Sequence, residues 1–507
     1  MENKKHGFGS SIGFILAAAG SAVGLGNLWA FPYKTSANGG AAFVLVYILC
    51  VLVIGSIAMI SEIYLGKRSK ANTVTAYKNA NKNLGFLGLI VILVPTLIVC
   101  YYGVLGGWTL RFAVNSFQSI EQASNAMSFS AFASHTFEPI FYTLIFMLLA
   151  AVIIMAGIKD GIEKSSKVLM PTLFIILVFI AIYCLFLGEG VKNGLAFYLK
   201  PDFSSLGFNG VVAAMGQAFF SLSIGMGTLI AYGSYTGKEI KVGQSTFMIC
   251  LFDTLVALIS GLAIFSAIGA LQPESLQGAQ GVGLIYQILP QIFAKMGDVG
   301  QIVSFLFFTM VVIAALTSVI SILEVSVQFI TQKFKLKRKK TTLVMTLICF
   351  VVSIPVAWSV GGAFQGKLLI FGFDILTFLD EIANTVLMPL GAIGACLTVG
   401  WLIDKKKTAN PFKTLKNLEK DGLSLGKFGK VFVIMAKYVT PVLMIFVEIM
   451  GVKGKFIEFS AKGLNYLYVV IASIIIIAIL IFLYFAFLKN TFTGDNSVEE
   501  LLESEQN

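Results

Sequence analysis

The stretch "GSAVGLGNLWAFPY", residues 20–33, lies inside the first long apolar run of the chain and decides the fold. It carries Gly24, Gly26, an asparagine and a proline where a helix that crosses lipid is normally unbroken. Irregular backbone at membrane depth is tolerated only where protein or a water-filled cavity satisfies its N–H and C=O groups. The stretch therefore predicts a membrane-spanning helix that unwinds next to a cavity.

A second apolar run has the same interruption. In "GQAFFSLSIGMGTLIAYGSY", residues 216–235, Gly225 and Gly227 flank a methionine as the first pair of glycines flanks a leucine. A single pair is explained at least as well by close helix packing, for which small residues are enriched in membranes. Two pairs placed five spans apart favour a binding site at the midplane, because glycine-interrupted segments in corresponding halves of a chain are typical of transporters.

The rest of the chain is equally apolar. Of its 507 residues, 57% are hydrophobic and only 12% are charged, a composition that soluble proteins of this length do not have. About 20 apolar residues cross a hydrocarbon core of about 30 Å. Twelve such runs predict an all-α polytopic membrane protein with twelve transmembrane helices. They lie near residues 11–36, 40–66, 86–118, 137–156, 167–188, 210–236, 243–270, 298–332, 341–359, 372–402, 428–450 and 464–488.

The net charge of +11 does not indicate nucleic-acid binding, because the basic residues are concentrated in alternate loops. Lysine and arginine are frequent near residues 67–70, 333–340 and 405–430. They are scarce in the intervening loops near residues 119–136, 271–297 and 360–371. This alternation follows the positive-inside rule. With an even number of spans it predicts a multi-pass protein of the cell membrane with both termini in the cytoplasm.

Residues 451–463 are the exception to this alternation, since they are predicted to form an external loop yet hold Lys453, Lys455 and Lys462. The acidic end of the chain, residues 491–507, is predicted to be a disordered cytoplasmic tail. All six cysteines lie inside apolar runs, where we expect them to pack. A disulfide framework or a metal cluster would need them close together in loops.

Five motifs occur in the order found in a known family: "GSAVGLGNLWAFPY", "NGGAAFVLVY", "GQAFFSLSIGMG", "GVGLIYQILPQIF" and "ALTSVISILE". Together they resemble the neurotransmitter:sodium symporter family, in particular its bacterial amino-acid transporters. The resemblance implies a leucine-transporter-like fold, with a five-plus-five inverted repeat and broken helices 1 and 6. It implies a single transporter domain at residues 1–490, with repeats at about 11–188 and 210–402 and extra helices at about 428–488.

The resemblance also implies coupling to Na⁺, a hard cation that binds oxygen ligands, at two sites. The residues that match the first site are Ala22, Asn27, Ser221 and Asp253, with the substrate carboxylate as a further ligand. Those that match the second site are Gly20, Val23, Ala314, Thr317 and Ser318, the first three through their carbonyl groups. Outside this context, a serine or threonine in a helix is more often bonded to its own backbone.

An amino-acid substrate needs a partner for each of its charged ends. The half-helix that begins after Gly26 directs N–H groups and a positive dipole end at the midplane, which suits a carboxylate. Family members that carry biogenic amines have an aspartate at the position of Gly24, so a glycine there implies a substrate with its own carboxylate. The expected pocket has no charged side chain, which implies a neutral, mostly apolar amino acid, although plain core packing is the alternative for its side chains. The residues implied in substrate binding are Ala22, Gly24, Leu25, Gly26, Ile98, Tyr102, Phe219, Phe220, Ser221, Ser223, Met226, Ser318 and Ile322.

Three acidic residues lie within or near the apolar runs, where a charge is costly and is usually functional. Glu62 matches a family glutamate that supports the broken part of helix 6. Asp253 stands where animal members have an asparagine and need chloride nearby, so the resemblance implies that this carboxylate removes the chloride requirement. Glu324 is expected to have a supporting role or to face the cytoplasm.

The outer gate departs from the family pattern. Ala30 and Thr377 stand at the two positions of the family's ion pair, and we expect them to face each other above the substrate. Pairing of Lys34 with Asp374 or Asp380 is the alternative.

The inner gate departs as well. Lys5 and Gln332 stand at the positions of its ion pair, while Tyr235 matches the tyrosine between them. The sequence predicts a sodium-coupled symporter that imports a neutral amino acid by alternating access. The lost gate residues leave open a non-transporting amino-acid sensor on the same fold. An enzyme is disfavoured, since the sequence holds no nucleophile–base pair, metal-ligand cluster or cofactor motif. No oligomeric state is indicated.

Overall fold

The computed structural model describes residues 7–116, 129–276, 284–361, 364–403, 410–420 and 422–489. In these ranges, ten uninterrupted helices are long and apolar enough to cross a membrane. They are Ala41–Ser69, Gly85–Asn115, Glu138–Met155, Ile158–Leu185, Val242–Leu271, Asp298–Phe334, Arg338–Val360, Ile375–Leu402, Gly426–Ala461 and Leu467–Leu488.

Two further spans are broken, as predicted. The first consists of Ser11–Ala22 and Gly26–Ala37, which are bent by 49° across the break. The second consists of Phe208–Ser221 and Thr228–Ser234, separated by the non-helical residues 222–227. Numbered in chain order these are spans 1 and 6 of twelve, which confirms the predicted polytopic fold.

Glycine is required at the break of span 6. Gly225 and Gly227 have φ angles of +82° and +73°, a region that residues with a side chain rarely adopt. A Cβ atom on Gly225 would also overlap the carbonyl group of Met388 in span 10. The unwound segment therefore keeps its path because of close packing against a neighbouring span.

Short elements connect the spans. The described connecting helices are Thr73–Ala80, Phe129–Ser134, Val191–Leu199, Pro273–Ser275, Leu284–Ile288, Leu289–Lys295 and Pro411–Lys420. One antiparallel hairpin pairs Leu369–Ile370 with Phe373–Asp374, between spans 9 and 10. Spans 1, 2, 5, 10, 11 and 12 contain π-helical turns, at Gly26–Ala30, Val51–Gly55, Ile158–Glu163, Glu381–Leu387, Thr398–Leu402, Met435–Val439 and Tyr484–Leu488.

The core lies around spans 3 and 8. In span 8, 83% of the most apolar window is buried inside the protein, against 17% in span 12. The exposed side chains of span 12 are nevertheless isoleucine and phenylalanine, such as Ile474, Ile475 and Phe482. An exposed apolar surface of this kind is what a lipid bilayer covers.

The expectation of a loop at residues 451–463 is wrong, because span 11 remains helical to Ala461. Two of its three lysines pair with acidic residues on the same and adjacent spans. Lys455 lies 2.8 Å from Glu381 of span 10 and 3.2 Å from Glu458, and Lys462 lies 2.8 Å from Glu458. The acidic tail lies outside the described residues. All six cysteines are free and buried, as expected.

Candidate functional site

The breaks of spans 1 and 6 meet at a small internal cavity, the central cavity, of about 30 Å³. Spans 3 and 8 complete its wall, and none of its lining side chains is charged. The lining residues are Ser21, Ala22, Gly24, Gly26, Ile98, Tyr102, Phe220, Ser223, Met226, Ser318 and Ile322. Ten of these are expected from the sequence, and only Ser21 is missed.

Gly24 has no room for a side chain. A Cβ atom there would lie 2.5 Å from Ser318 Oγ and 2.8 Å from the Tyr102 hydroxyl oxygen. The next residue, Leu25, donates its N–H to the same Tyr102 hydroxyl at 3.1 Å. The start of the second half of span 1 and Tyr102 therefore present polar hydrogens and oxygens at one point of the cavity wall.

Asp253 of span 7 lies at the centre of a fully buried polar cluster, the aspartate cluster. Asn27 Nδ2 donates to Asp253 Oδ1 at 2.8 Å and to Ser221 Oγ at 3.0 Å. Ser221 Oγ donates to Asp253 Oδ2 at 2.8 Å, and the Tyr47 hydroxyl lies 3.4 Å from the same oxygen. In the described part of the chain these partners are all neutral, so the carboxylate has no basic residue beside it.

The aspartate cluster contains three residues of the expected first cation site. A carboxylate, an amide, a hydroxyl and nearby carbonyl groups are the hard oxygen ligands that Na⁺ and similar cations prefer. Sequence reasoning missed Tyr47 and also Gln217, whose Nε2 donates to the Gly26 carbonyl at 2.8 Å. A polar residue within an apolar run, one turn before Ser221, is the available signal for Gln217.

Residues expected at the second cation site also meet. Ser318 Oγ lies 3.4 Å from the Gly20 carbonyl oxygen and 3.3 Å from the Val23 carbonyl oxygen. The Thr317 hydroxyl donates to the Ile313 and Ala314 carbonyl groups of its own helix, both at 3.1 Å, so for this residue the backbone-bonded alternative is what the structure shows. The Gly20 and Val23 carbonyl groups of span 1 and the Ser318 hydroxyl of span 8 thus lie together, and oxygens of this kind fit a monovalent cation.

Three expected residues are not in the central cavity lining. Leu25 contributes its backbone N–H, as described above. Ser221 belongs to the aspartate cluster, and Phe219 lines the larger cavity on the other side of Phe220. Glu62 accepts a hydrogen bond from the Gly225 N–H at 2.6 Å, in agreement with its expected contact with the broken part of span 6.

This larger cavity has a volume of about 540 Å³ and lies at the C-terminal end of span 1. We call it the upper cavity. Phe220 lines both cavities and separates them. The charged residues of the upper cavity come from spans 1, 10 and 11, and they are Lys34, Asp380, Glu381, Glu448, Lys455 and Glu458.

The expectation that Thr377 faces Ala30 is wrong. Ala30 lines the upper cavity, and Thr377 does not. Thr377 lies at the start of span 10, where its N–H and Oγ1 donate hydrogen bonds to Asp374 at 2.8 Å and 2.7 Å. Asp374, which accepts these bonds, is not among the residues that line the upper cavity with Lys34. Asp380, further along span 10, lines the cavity together with Lys34.

At the opposite end, Tyr235 contacts a different pair of residues from the one expected. Its hydroxyl donates to Glu324 Oε1 at 2.9 Å, and Arg338 forms a double hydrogen bond with the same carboxylate. Gln332 instead accepts from the N–H and Nδ2 of Asn72, both at 2.8 Å. Lys5 lies outside the described residues. Glu324, Arg338 and Tyr235 form the lower cluster.

The model of the sodium:neurotransmitter symporter family matches residues 5–136 and 125–490. The chain belongs to this family. It is 32% identical over 465 residues to the uncharacterized sodium-dependent transporter YhdH of Bacillus subtilis (strain 168), with 89% of this chain and 99% of that protein covered.

A solved structure and a distant relative extend this picture. The crystal structure of MhsT in complex with L-phenylalanine superposes with a TM-score of 0.78 at 35% identity, covering 88% of this chain and 100% of that one. A sodium-dependent nutrient amino acid transporter 1 of Drosophila grimshawi is 24% identical over 479 residues, covering 82% of this chain and 73% of that protein. The symporter is therefore a multi-pass, sodium-dependent membrane transporter.

Proposed function

We propose that the symporter imports a neutral, mostly apolar amino acid together with Na⁺ by alternating access. The observation that carries the proposal is an uncharged cavity at two broken helices, directly beside a buried carboxylate whose partners in the described residues are all neutral. We also propose that both termini are cytoplasmic, so that the upper cavity opens to the outside and the lower cluster lies on the cytoplasmic side.

The substrate carboxylate is proposed to bind at the N–H groups of Leu25 and Gly26 and at the Tyr102 hydroxyl. The helix dipole at this half-helix start favours a negative charge there. Because a side chain at Gly24 would collide with Tyr102 and Ser318, the chain cannot supply that charge itself. The walls at Ile98, Met226 and Ile322, together with the L-phenylalanine found in MhsT, support an apolar substrate side chain.

Two sodium ions are proposed as co-transported ions. The aspartate cluster with the Ala22 carbonyl would hold the first, and the oxygens around Thr317 and Ser318 would hold the second. Asp253 supplies a fixed negative charge, so no chloride requirement is expected. Two charges that move through 100 mV release about 4.6 kcal/mol, which corresponds to roughly a thousandfold accumulation.

We propose one transporter domain at residues 1–490, with inverted repeats at about 11–188 and 210–402. Each repeat contributes one broken span, so both halves are needed to complete the central cavity. The two remaining spans, at about 428–488, lie beside the second repeat, where Lys455 of span 11 contacts Glu381 of span 10.

Counterflow in proteoliposomes tests this function. Vesicles loaded with one unlabelled neutral amino acid should accumulate the labelled form when Na⁺ is present and not when choline replaces it. The decarboxylated amine of the best substrate is the matched control and should neither bind nor compete. Sodium-dependent binding without any flux would indicate the sensor, and equal binding of the amine would contradict the proposed carboxylate site.

A further inference from the structure

The connection between spans 10 and 11 contains an amphipathic helix, Pro411–Lys420, which we call the loop helix. Its apolar side faces the protein. Leu415 is buried against Gly429 at the start of span 11, where an added Cβ atom would lie 2.7 Å from a leucine methyl group. Just beyond the loop helix, Leu425 lies equally close to Gly243 at the start of span 7. The loop helix is therefore held against two spans at one end of the membrane domain.

The opposite side of the loop helix is basic. Lys413, Lys416 and Lys420 are all exposed, and their spacing of three and four residues places them on one face of a helix. Glu419 is exposed at the edge of this face, and Asp421 lies outside the described residues. Among the described residues, the outer face of the loop helix therefore carries more positive than negative charge.

The loop helix leads into the lipid-facing side of span 11. Exposed apolar side chains recur along this span at intervals of three or four residues, which is the period of a single helix face. They include Phe428, Val431, Ile434, Tyr438, Val442 and Ile445. A bilayer covers a stripe of this kind. Lys427, which is exposed, directly precedes the first of these residues. The chain thus passes within a few residues from the loop helix to the edge of the hydrocarbon, where lipid headgroups lie.

We propose that the basic face of the loop helix binds the anionic headgroups of phospholipids in the cytoplasmic leaflet. Its three lysines pair with lipid phosphates, while Leu415 holds the loop helix against span 11. Anionic lipids attract basic side chains that lie near the membrane surface. A lipid fits better than an acidic protein segment, because the surface continues into a span whose exposed stripe is apolar. The proposed orientation of the termini gives the leaflet, and the substrate and sodium sites play no part.

The test measures the affinity of the purified symporter for phosphatidylglycerol by titration in detergent, with native mass spectrometry to count bound lipids. Phosphatidylcholine, which has no net charge, is the reference lipid. The test variant carries Lys413→Gln, Lys416→Gln and Lys420→Gln. Each lysine near an anionic surface contributes about fivefold in affinity, so this variant should bind phosphatidylglycerol about a hundredfold more weakly. Its affinity for phosphatidylcholine and its sodium-dependent binding of an amino acid should not change.

The matched control removes the same charge from the connection between spans 8 and 9. Its three lysines are exposed as well, but they alternate along the chain and so do not share one helix face. The control variant carries Lys335→Gln, Lys337→Gln and Lys339→Gln. It should keep the parent affinity for phosphatidylglycerol within about twofold. An equal loss in both variants would show a general attraction to basic loops and would overturn the proposal.

The unchanged protein gives a second measurement. At about 1 M salt the Debye length falls to about 3 Å, so its preference for phosphatidylglycerol over phosphatidylcholine should disappear. A preference that persists at this salt concentration would contradict binding through lysines. Displacement of the lipid by millimolar inorganic phosphate would show a simple anion site, and the lipid surface would be wrong. Tighter lipid binding after removal of residues 491–507 would mean that the acidic end of the chain occupies the basic face, which would also overturn the proposal.

Discussion

The upper cavity and the lower cluster lie on opposite sides of the central cavity, and their charged side chains differ in how far they are exposed. In the upper cavity, which has a volume of about 540 Å³, Lys455 is 32% exposed and Glu458 is 45% exposed, although Glu381, the other partner of Lys455, is buried. In the lower cluster, Glu324 is fully buried and receives hydrogen bonds from both Arg338 and Tyr235. The structure is therefore open above the central cavity, and closed and dry below it.

This difference in exposure determines how much it costs to break the ion pairs at each end. Exposed ion pairs contribute little to stability, because water and salt screen them. A buried pair contributes little net stability over apolar packing, yet removing one partner leaves an uncompensated charge. The exposed contacts that Lys455 and Lys462 make with Glu458 on the upper side therefore cost little to break. The buried pair of Glu324 and Arg338 on the lower side is costly to break one half at a time.

The largest effect is expected from Arg338→Gln. It leaves the buried Glu324 carboxylate without its cation and should lower the free energy of unfolding by about 3–5 kcal/mol. Lys462→Gln is the control from the upper side and should cost at most about 1 kcal/mol, because its ion pair with Glu458 is exposed and Lys455 still pairs with that carboxylate.

Thermal unfolding in detergent measures both variants. Adding Glu324→Gln to Arg338→Gln should restore most of the lost stability, since the buried charge is then gone. Equal losses for Arg338→Gln and Lys462→Gln would contradict the contrast between the two ends.

Asp253 sharpens the comparison, because it is as buried as Glu324 but has only neutral partners in the described residues. Sodium is then the expected source of positive charge, and at 100 times its dissociation constant it should stabilise the protein by about 2.7 kcal/mol. Asp253→Asn should lose this response or make it depend on chloride. Glu324→Gln, the control, should keep it.

The readout is the unfolding temperature in sodium chloride, sodium gluconate and choline chloride. Wild-type stabilisation by sodium should be the same with gluconate as with chloride. A wild-type response that requires chloride would exclude Asp253 as the fixed negative charge.

Gly24→Ala tests the packing of the central cavity, which lies between the upper cavity and the lower cluster. A methyl group there would press on Ser318 Oγ and the Tyr102 hydroxyl, so substrate affinity should fall by at least about tenfold, or about 1.4 kcal/mol. Gly216→Ala is the matched control, because it lies in the upper cavity and a Cβ atom there meets nothing within 4 Å. Equilibrium binding of a labelled amino acid measures both, and equal affinities would rule out close packing at Gly24.

Much of the central cavity could be predicted from the sequence, because its position depends on where the backbone of spans 1 and 6 unwinds. The paired glycines predict both breaks, and the breaks bring Gly24, Tyr102 and Ser318 to one cavity. Asp253 and Asn27, expected as partners, lie 2.8 Å apart. A polar residue or a glycine in an apolar run also has a backbone-bonding or packing explanation, so it is the order of the five motifs, more than any single residue, that predicts these neighbours.

The side-chain contacts in the upper cavity and the lower cluster could not be predicted from the sequence in the same way. The family pattern places Thr377 at the gate, but a threonine three residues after an aspartate at a helix start is a capping partner, and Asp374 engages it. Arg338 reads only as one of several basic loop residues, since nothing in the sequence places it near Glu324, fourteen residues earlier. Side-chain partners at span ends depend on how spans tilt and pack, and local patterns do not encode that.

The smallest effect is expected at Lys34, which lies on span 1 one turn beyond Ala30. It is half-buried in the wall of the upper cavity, which Asp380 also lines. If the two attract each other across the water-filled space, Lys34→Gln should change the uptake rate about twofold at low ionic strength, equivalent to less than about 1 kcal/mol. At about 1 M salt the Debye length falls to about 3 Å, so the difference should disappear. A Lys34→Gln effect that persists at high salt would mean that the upper side, too, closes over a desolvated ion pair.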